Sequence, residues 1–234
     1  MRNLADSSRF NGRLRRRLLA VISFCLAPLA VSCASYTPQP VTLLRIQSAA
    51  ISKEEQGITV GVTPYLDGDR NEQTFGADLK QAGILPLQVV VRNSGTDPIR
   101  LRKGDFVLRL AEDAEYGPAS AASVAARLES SAGVVGWTIA FGLVGYLASS
   151  TQQQEANNAR RGDLRDKSLK DTLLDSQEST QGFLYFLIPE DVNEIKEATL
   201  FLKVLEPSTN RRIHLMLPLG KMGKWNVPKS QEER

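Results

Sequence analysis

The sequence is poor in the residue types that enzyme active sites and metal centres use. It has 234 residues but two cysteines and one histidine. A zinc site needs three or four Cys, His or carboxylate ligands. A serine nucleophile needs a partner base and a setting such as the GxSxG turn, which does not occur, and no glycine-rich phosphate loop is present. We therefore expect a chain that is not an enzyme and binds no cofactor.

The single histidine lies in a run of alternating apolar residues. Ile213, Leu215 and Leu217 recur at every second position, so a strand would place them on one face and His214 on the other. The pattern predicts a solvent-facing His214 rather than a metal ligand or a general base.

The N-terminus has the anatomy of a secretory signal. Arg13 and the run Arg15, Arg16, Arg17 precede an apolar stretch, residues 18–31, that is too short for a comfortable membrane span and is followed by small residues. These features predict a signal peptide over residues 1–32 and export from the cytoplasm.

Residues 29–33, LAVSC, resemble the lipobox of bacterial lipoproteins, with Ser32 directly before Cys33. Ala30 departs from the usual leucine three residues before the cysteine. The resemblance implies that Cys33 is acylated and becomes the new N-terminus, and Ala34 after it implies sorting to the outer membrane. The alternative is a plain cleaved signal with an incidental cysteine.

Removal of the signal changes the charge balance. Residues 1–32 hold six Arg and one Asp, which leaves 23 basic and 25 acidic residues, a net charge of −2 against +3 for the whole chain. We therefore expect no nucleic-acid partner. One cysteine would remain, so no intrachain disulfide is expected. Residues 33–41 would form a lipidated tether.

Short strands without βαβ alternation predict a mainly β fold. The predicted strands cover residues 42–51, 57–65, 84–92, 99–101, 106–110, 182–188, 198–205 and 212–217. This pattern favours an immunoglobulin-like antiparallel β-sandwich in two parts, residues 42–117 and 180–220, with a polar tail over 221–234. The segments GILPLQVVVRNSG and QGFLYFLIP loosely resemble uncharacterised Ig-like bacterial lipoproteins.

Residues 118–179 interrupt the strands and are predicted to be a helical, Gly-rich apolar insertion. One helix is expected over 119–131, a second from 134 to about 161 that ends at Gly162, and a short third one over 163–174. Residues 132–149 carry no charge and would be about 27 Å long as a helix. Four small residues, Ala132, Gly136, Ala140 and Gly145, are spaced so as to let another helix approach closely, and they form the predicted helix-contact face.

Two environments are open for this apolar segment. A single membrane pass conflicts with strands on both sides that must join one domain, so the segment either enters a membrane as a shallow or re-entrant hairpin or packs on protein.

One acidic segment has part of the pattern of a calcium loop. Asp67, Asp69, Asn71 and Asp78 occupy positions 1, 3, 5 and 12, but Glu72 stands where the loop requires glycine. The alternative is an acidic β-turn.

Together these features predict a non-catalytic lipoprotein of the bacterial outer membrane that faces the periplasm. Its expected partners are the membrane, through the lipid anchor, and an envelope protein or further copies of itself, in an assembly or scaffold role. The alternative is a ligand-binding lipoprotein in which the helical insertion acts as a lid.

Overall fold

Two antiparallel β-sheets pack face to face in the computed structural model, which describes residues 38, 40–110, 114–131 and 150–225. The first sheet has the strand order β1-β2-β3-β8. The second has the order β6-β5-β10-β4-β7, and β11 pairs with β10. A two-stranded ribbon joins β12 to β9. The strands are β1 Ile51–Glu55, β2 Ile58–Pro64, β3 Ile84–Asn93, β4 Ile99–Leu101, β5 Phe106–Leu110, β6 Glu115–Tyr116, β7 Thr172–Leu174, β8 Ser179–Leu187, β9 Glu194–Ile195, β10 Ala198–Glu206, β11 Arg211–Gly220 and β12 Gly223–Lys224.

The main core lies between the two sheets. Alternate residues of each strand point into it, as the pleat dictates. β3 shows the pattern: Leu85, Leu87 and Val89 face the second sheet and are fully buried, while Ile84 on the opposite face belongs to a second core. The predicted mainly β, sandwich-like fold class is therefore confirmed. The arrangement is compatible with an immunoglobulin-like fold, which stays a prediction.

A layer of helices covers the outer face of the first sheet. It contains α1, Gly68–Phe75, α2, Ala121–Ser131, and α3, Ser150–Lys167. Val124 and Leu128 of α2, Leu164 of α3 and Phe75 of α1 are buried against Phe183 of β8, among other residues of the second core. The helices therefore share a continuous core with the sheet.

The predicted strand over residues 42–51 is wrong for most of its length. Residues 40–50 run along the outer face of the first sheet with one short 3-10 turn, Ile46–Ser48, and β1 begins at Ile51. Side chains take the hydrogen bonds that a neighbouring strand would otherwise supply: Gln88 donates to the carbonyl of Thr42 at 2.9 Å, and the amide of Leu44 donates to Gln181 at 2.6 Å.

Three expectations about the later chain need correction. Gly162 does not end a helix, because α3 continues to Lys167 and buries Leu164. No third helix follows it, and part of the stretch predicted to form one becomes β7, which pairs with β4 of the second sheet. The predicted polar tail begins too early, since β12 lies within it and Trp225 is fully buried. The predicted insertion over 118–179 thus supplies a strand to the sandwich.

Candidate functional site

Both described flanks of the uncharged segment 132–149 belong to the helical layer. Ser131 ends α2 and Ser150 begins α3. The two helices pack on each other, and Arg161 of α3 donates to Glu129 of α2 at 3.0 Å. That pair is half-exposed and contributes little by itself, so packing of the apolar faces on the second core holds the helices. The predicted contact face, Ala132, Gly136, Ala140 and Gly145, lies outside the described residues.

A buried ion pair fixes the C-terminal half of α3. The Lys167 ammonium donates to the Asp163 carboxylate, one turn earlier, at 2.5 Å and to the carbonyl of Thr74 at 2.6 Å. Both charged side chains are less than a tenth exposed. Thr74 lies in the last turn of α1, where free carbonyls favour a cation. Lys167 therefore links α3 to the end of α1.

The edge of the first sheet also binds this layer. The amide of Leu169, just after α3, donates to the carbonyl of Phe183 on β8, and the amide of Ala119, just before α2, donates to that of Tyr185 on the same strand. The helical pair is thus attached to β8 at both of its inner ends.

An aromatic cluster lies between the helices and the first sheet. Tyr65, Phe75, Phe183 and Tyr185 contact each other mostly edge to face, with ring centroids 4.9–6.2 Å apart. The Tyr65 hydroxyl donates to Gln88, which in turn donates to Thr42 of the N-terminal segment. The first described residues after the predicted tether are therefore fixed to the same side of the first sheet as α2 and α3.

The candidate calcium-loop residues have structural roles. Asp67 caps α1 and accepts from the amide of Arg70 at 2.8 Å. Asn71 is buried within α1, where its amide group donates to the carbonyls of Tyr65 and Asp67, while its Oδ1 has no hydrogen-bond partner among the described residues. Asp78 accepts from the amide of Lys80.

The segment that contains these residues is thus a capped helix, so the β-turn alternative is wrong in form. Asp69 lies in its first turn. A search of the described part of the chain finds no group of three or more His, Cys, Asp or Glu side chains suited to a metal ion.

The other predicted residues divide between described and undescribed segments. His214 is exposed on β11 and lies opposite Lys203 of β10, as the alternation predicts. Cys33 lies outside the described residues. Within the described ranges, no helix is both long enough and apolar enough to cross a membrane.

The described residues also form an open depression between α2 and α3. Ala121 and Ala122 of α2 and Asn158, Arg161, Gly162 and Arg165 of α3 line it. It lies on the surface of the helical layer, whereas the space between the two sheets is filled by buried side chains. The described structure therefore offers no ligand cavity inside the sandwich for a helical lid to close.

The acidic groups with shifted pKa values have structural causes. A hydrogen bond from Thr209, and then one from Arg211, lowers the pKa of Glu206 at the β10–β11 turn. Arg211 binds both carboxylate oxygens of Glu206, at 3.0 and 3.1 Å. Hydrogen bonding and charge from Lys221 lower the pKa of Glu194. Both are surface ion pairs that close local turns and ribbons.

Comparisons with known proteins give structural likenesses alone. No protein-family model matches the sequence, and no curated protein matches it. The ycdA protein of Bacillus subtilis, described as a candidate lipoprotein, is 13% identical with a TM-score of 0.38; the match covers 73% of this chain but 39% of that one.

Two further solved structures are similar at the same level. The yjhA protein of Bacillus subtilis is 13% identical, with a TM-score of 0.34, over 66% of this chain and 79% of that one. The secreted protein MPT63 of Mycobacterium tuberculosis is 9% identical, with a TM-score of 0.29, over 71% of this chain and 91% of that one. At these scores none of the three supports a transfer of function.

Proposed function

We propose that this protein is a non-catalytic lipoprotein of the bacterial outer membrane, anchored by acyl chains on Cys33, in which α2 and α3 present residues 132–149 to a membrane or protein surface. One observation carries the proposal: the N-terminal segment that would continue from the anchor and both helices that flank the apolar segment lie on the same side of the first sheet. The anchor and the contact segment can therefore act in one place.

The physical basis for the contact is the composition of the segment. Eighteen consecutive residues without a charge can leave water at little electrostatic cost. Gly136 and Gly145 oppose a helix by about 1 kcal/mol each relative to alanine. Close approach of another helix to this small-residue face would offset that cost through packing.

The anchor is tested by mass spectrometry of protein from membranes of the producing bacterium. We expect wild-type protein to begin at an acylated Cys33 and to fractionate with the outer membrane. Cys33→Ser should carry no acyl mass. A wild-type N-terminus at another residue would contradict the anchor.

The contact segment is tested by a matched pair of glycine substitutions. Gly136→Leu fills the predicted groove. Gly162→Leu adds the same bulk to α3 at a site where an added Cβ would have no atom within 4 Å. In detergent extracts of the membranes, native gels should show that Gly136→Leu loses a larger assembly that wild type and Gly162→Leu retain. Equal assembly in all three proteins would refute the contact role, while protease resistance of the sandwich checks the fold.

A further inference from the structure

The outer face of the second sheet combines unpaired positive charges with exposed apolar side chains. On β10, Thr199, Phe201, Lys203 and Leu205 alternate with the residues that enter the core, so they point away from the first sheet. Lys203 and the neighbouring Met216 on β11 are exposed, and 48% of Met216 is accessible. We call this surface the outer face.

Strand register brings its members together from distant parts of the chain. Leu205 of β10 lies between Arg212 of β11 and Arg100 of β4, and Arg100 lies beside Leu173 of β7. In the next rows, Lys203 lies opposite His214, and Phe201 lies between Met216 and Val107. The result is an apolar strip flanked by cations.

The charge on this face is not neutralised within the described chain. Arg109 lies over the Phe201 ring, 4.4 Å from its centroid, and pairs with Glu115 at 2.6 Å. Arg100, Lys203 and Arg212 have no ion pair with a described acidic side chain. Three uncompensated cations around an apolar strip favour a partner that supplies carboxylates around an apolar patch.

We propose that the outer face is a docking surface for a partner protein with an acidic, partly apolar surface. A second copy of this chain is disfavoured, because two identical faces would bring the same three cations together. A membrane surface is disfavoured because residues 40–50 run along the far side of the first sheet, two sheet layers away from the outer face. An anchor that precedes them leaves the outer face directed toward other proteins.

The dimensions of the face set the expected strength. From Thr199 to Leu205 it is about 20 Å long, and the four strands from β11 to β7 make it about 14 Å wide, or roughly 300 Å². Stable complexes bury about 800 Å² on each partner. We therefore expect a transient, salt-sensitive contact, in which anchoring of both partners in one envelope raises the effective concentration.

Site-specific photocrosslinking of the full-length protein in living cells tests this surface. A benzophenone amino acid replaces Met216, or, as a control, the exposed Glu54 on β1 of the first sheet. Ultraviolet light should give a protein adduct at position 216 and not at 54, and mass spectrometry of the linked peptide should place it on an acidic surface of the partner.

Charge reversal makes the test specific. Lys203→Glu with Arg212→Glu should lower the adduct yield at position 216 at least about fivefold, since steering by surface charge dominates such contacts. Lys170→Glu with Lys196→Glu changes the net charge equally on exposed residues outside the face and should leave the yield unchanged. All four side chains are exposed, so the fold should persist, which protease resistance verifies.

Several results would overturn the proposal. They are an adduct with phospholipid, an adduct with a second copy of the chain, an equal yield at positions 216 and 54, or a yield that ignores the charge reversal. Fractionation of the same cells shows separately whether the protein is in the membrane, so failure of the anchor and failure of the docking surface are distinguishable.

Discussion

Substitution of Gly182 by alanine tests whether the helical layer is an integral part of the fold. Gly182 lies on β8 where the chain leaves α3, and a Cβ there would lie 2.5 Å from the amide nitrogen and 2.6 Å from the Cα of Leu169. Both are backbone atoms, and the amide of Leu169 is bound to Phe183. The added methyl therefore has to push the end of α3 away from the sheet edge.

The magnitude follows from two opposing effects. Overpacking of a well-ordered contact costs about 1–3 kcal/mol. Removal of a glycine from a strand returns about 0.5–1 kcal/mol, because the unfolded chain loses freedom. The net loss in the free energy of unfolding should be about 1–2 kcal/mol, or roughly 2–8 °C in Tm for a domain of this size.

Gly162→Ala is the matched control within α3. An added Cβ meets nothing within 4 Å there, so helix propensity alone should raise the stability by up to about 1 kcal/mol. Thermal unfolding followed by circular dichroism, in one detergent for wild type and both variants, measures the difference. A Gly182→Ala protein as stable as wild type, or a Gly162→Ala protein that is less stable, would refute the close contact of α3 with β8.

Three further predictions concern single side chains. Lys167→Ala should lower the free energy of unfolding by about 3–5 kcal/mol because it deprives the buried Asp163 of its cation, and urea denaturation should show that Lys167→Met with Asp163→Leu loses less. The lowered pKa of Glu206 gives stability that is present above its ordinary value of about 4.5 and is lost as the pH falls through the lowered value; Glu206→Gln should therefore flatten the stability profile between pH 7 and pH 3. Asp67→Ala should cost about 1 kcal/mol through loss of the α1 cap, and a Tm that rises with added calcium in wild type alone would contradict a purely structural Asp67.

The structure also changes what can be removed from the chain without loss of the fold. Replacement of residues 119–179 would delete β7 and the helices that complete the second core, so we expect it to abolish cooperative unfolding. Replacement of residues 132–149 alone by a flexible linker of equal length should preserve it. Loss of cooperativity in that second variant would show that the apolar segment itself belongs to the core.

Local pattern was sufficient for most strands of the sandwich. Alternation in β2, β10 and β11 and the continuous apolar run of β3 follow from the burial of one or both strand faces, so these strands and the exposed position of His214 could be predicted. Helix α1 was missed, because an aspartate followed by glycine and aspartate equally suits a turn. The signal was present in the spacing of a capping Asp67 and Gly76, which ends the helix with a φ of 67°.

The sequence by itself determined the class of the fold, most of its strands and the expectation of an exported, lipidated chain, because these depend on residues close together in the chain. Only the tertiary structure decided how α3 ends, since its last turn is held by Lys167 reaching the carbonyl of Thr74, 93 residues away. It also decided the outer face, where β-sheet pairing places Arg100 beside Leu205 and Leu205 beside Arg212. Register is a property of paired strands, so no single segment of sequence carries it.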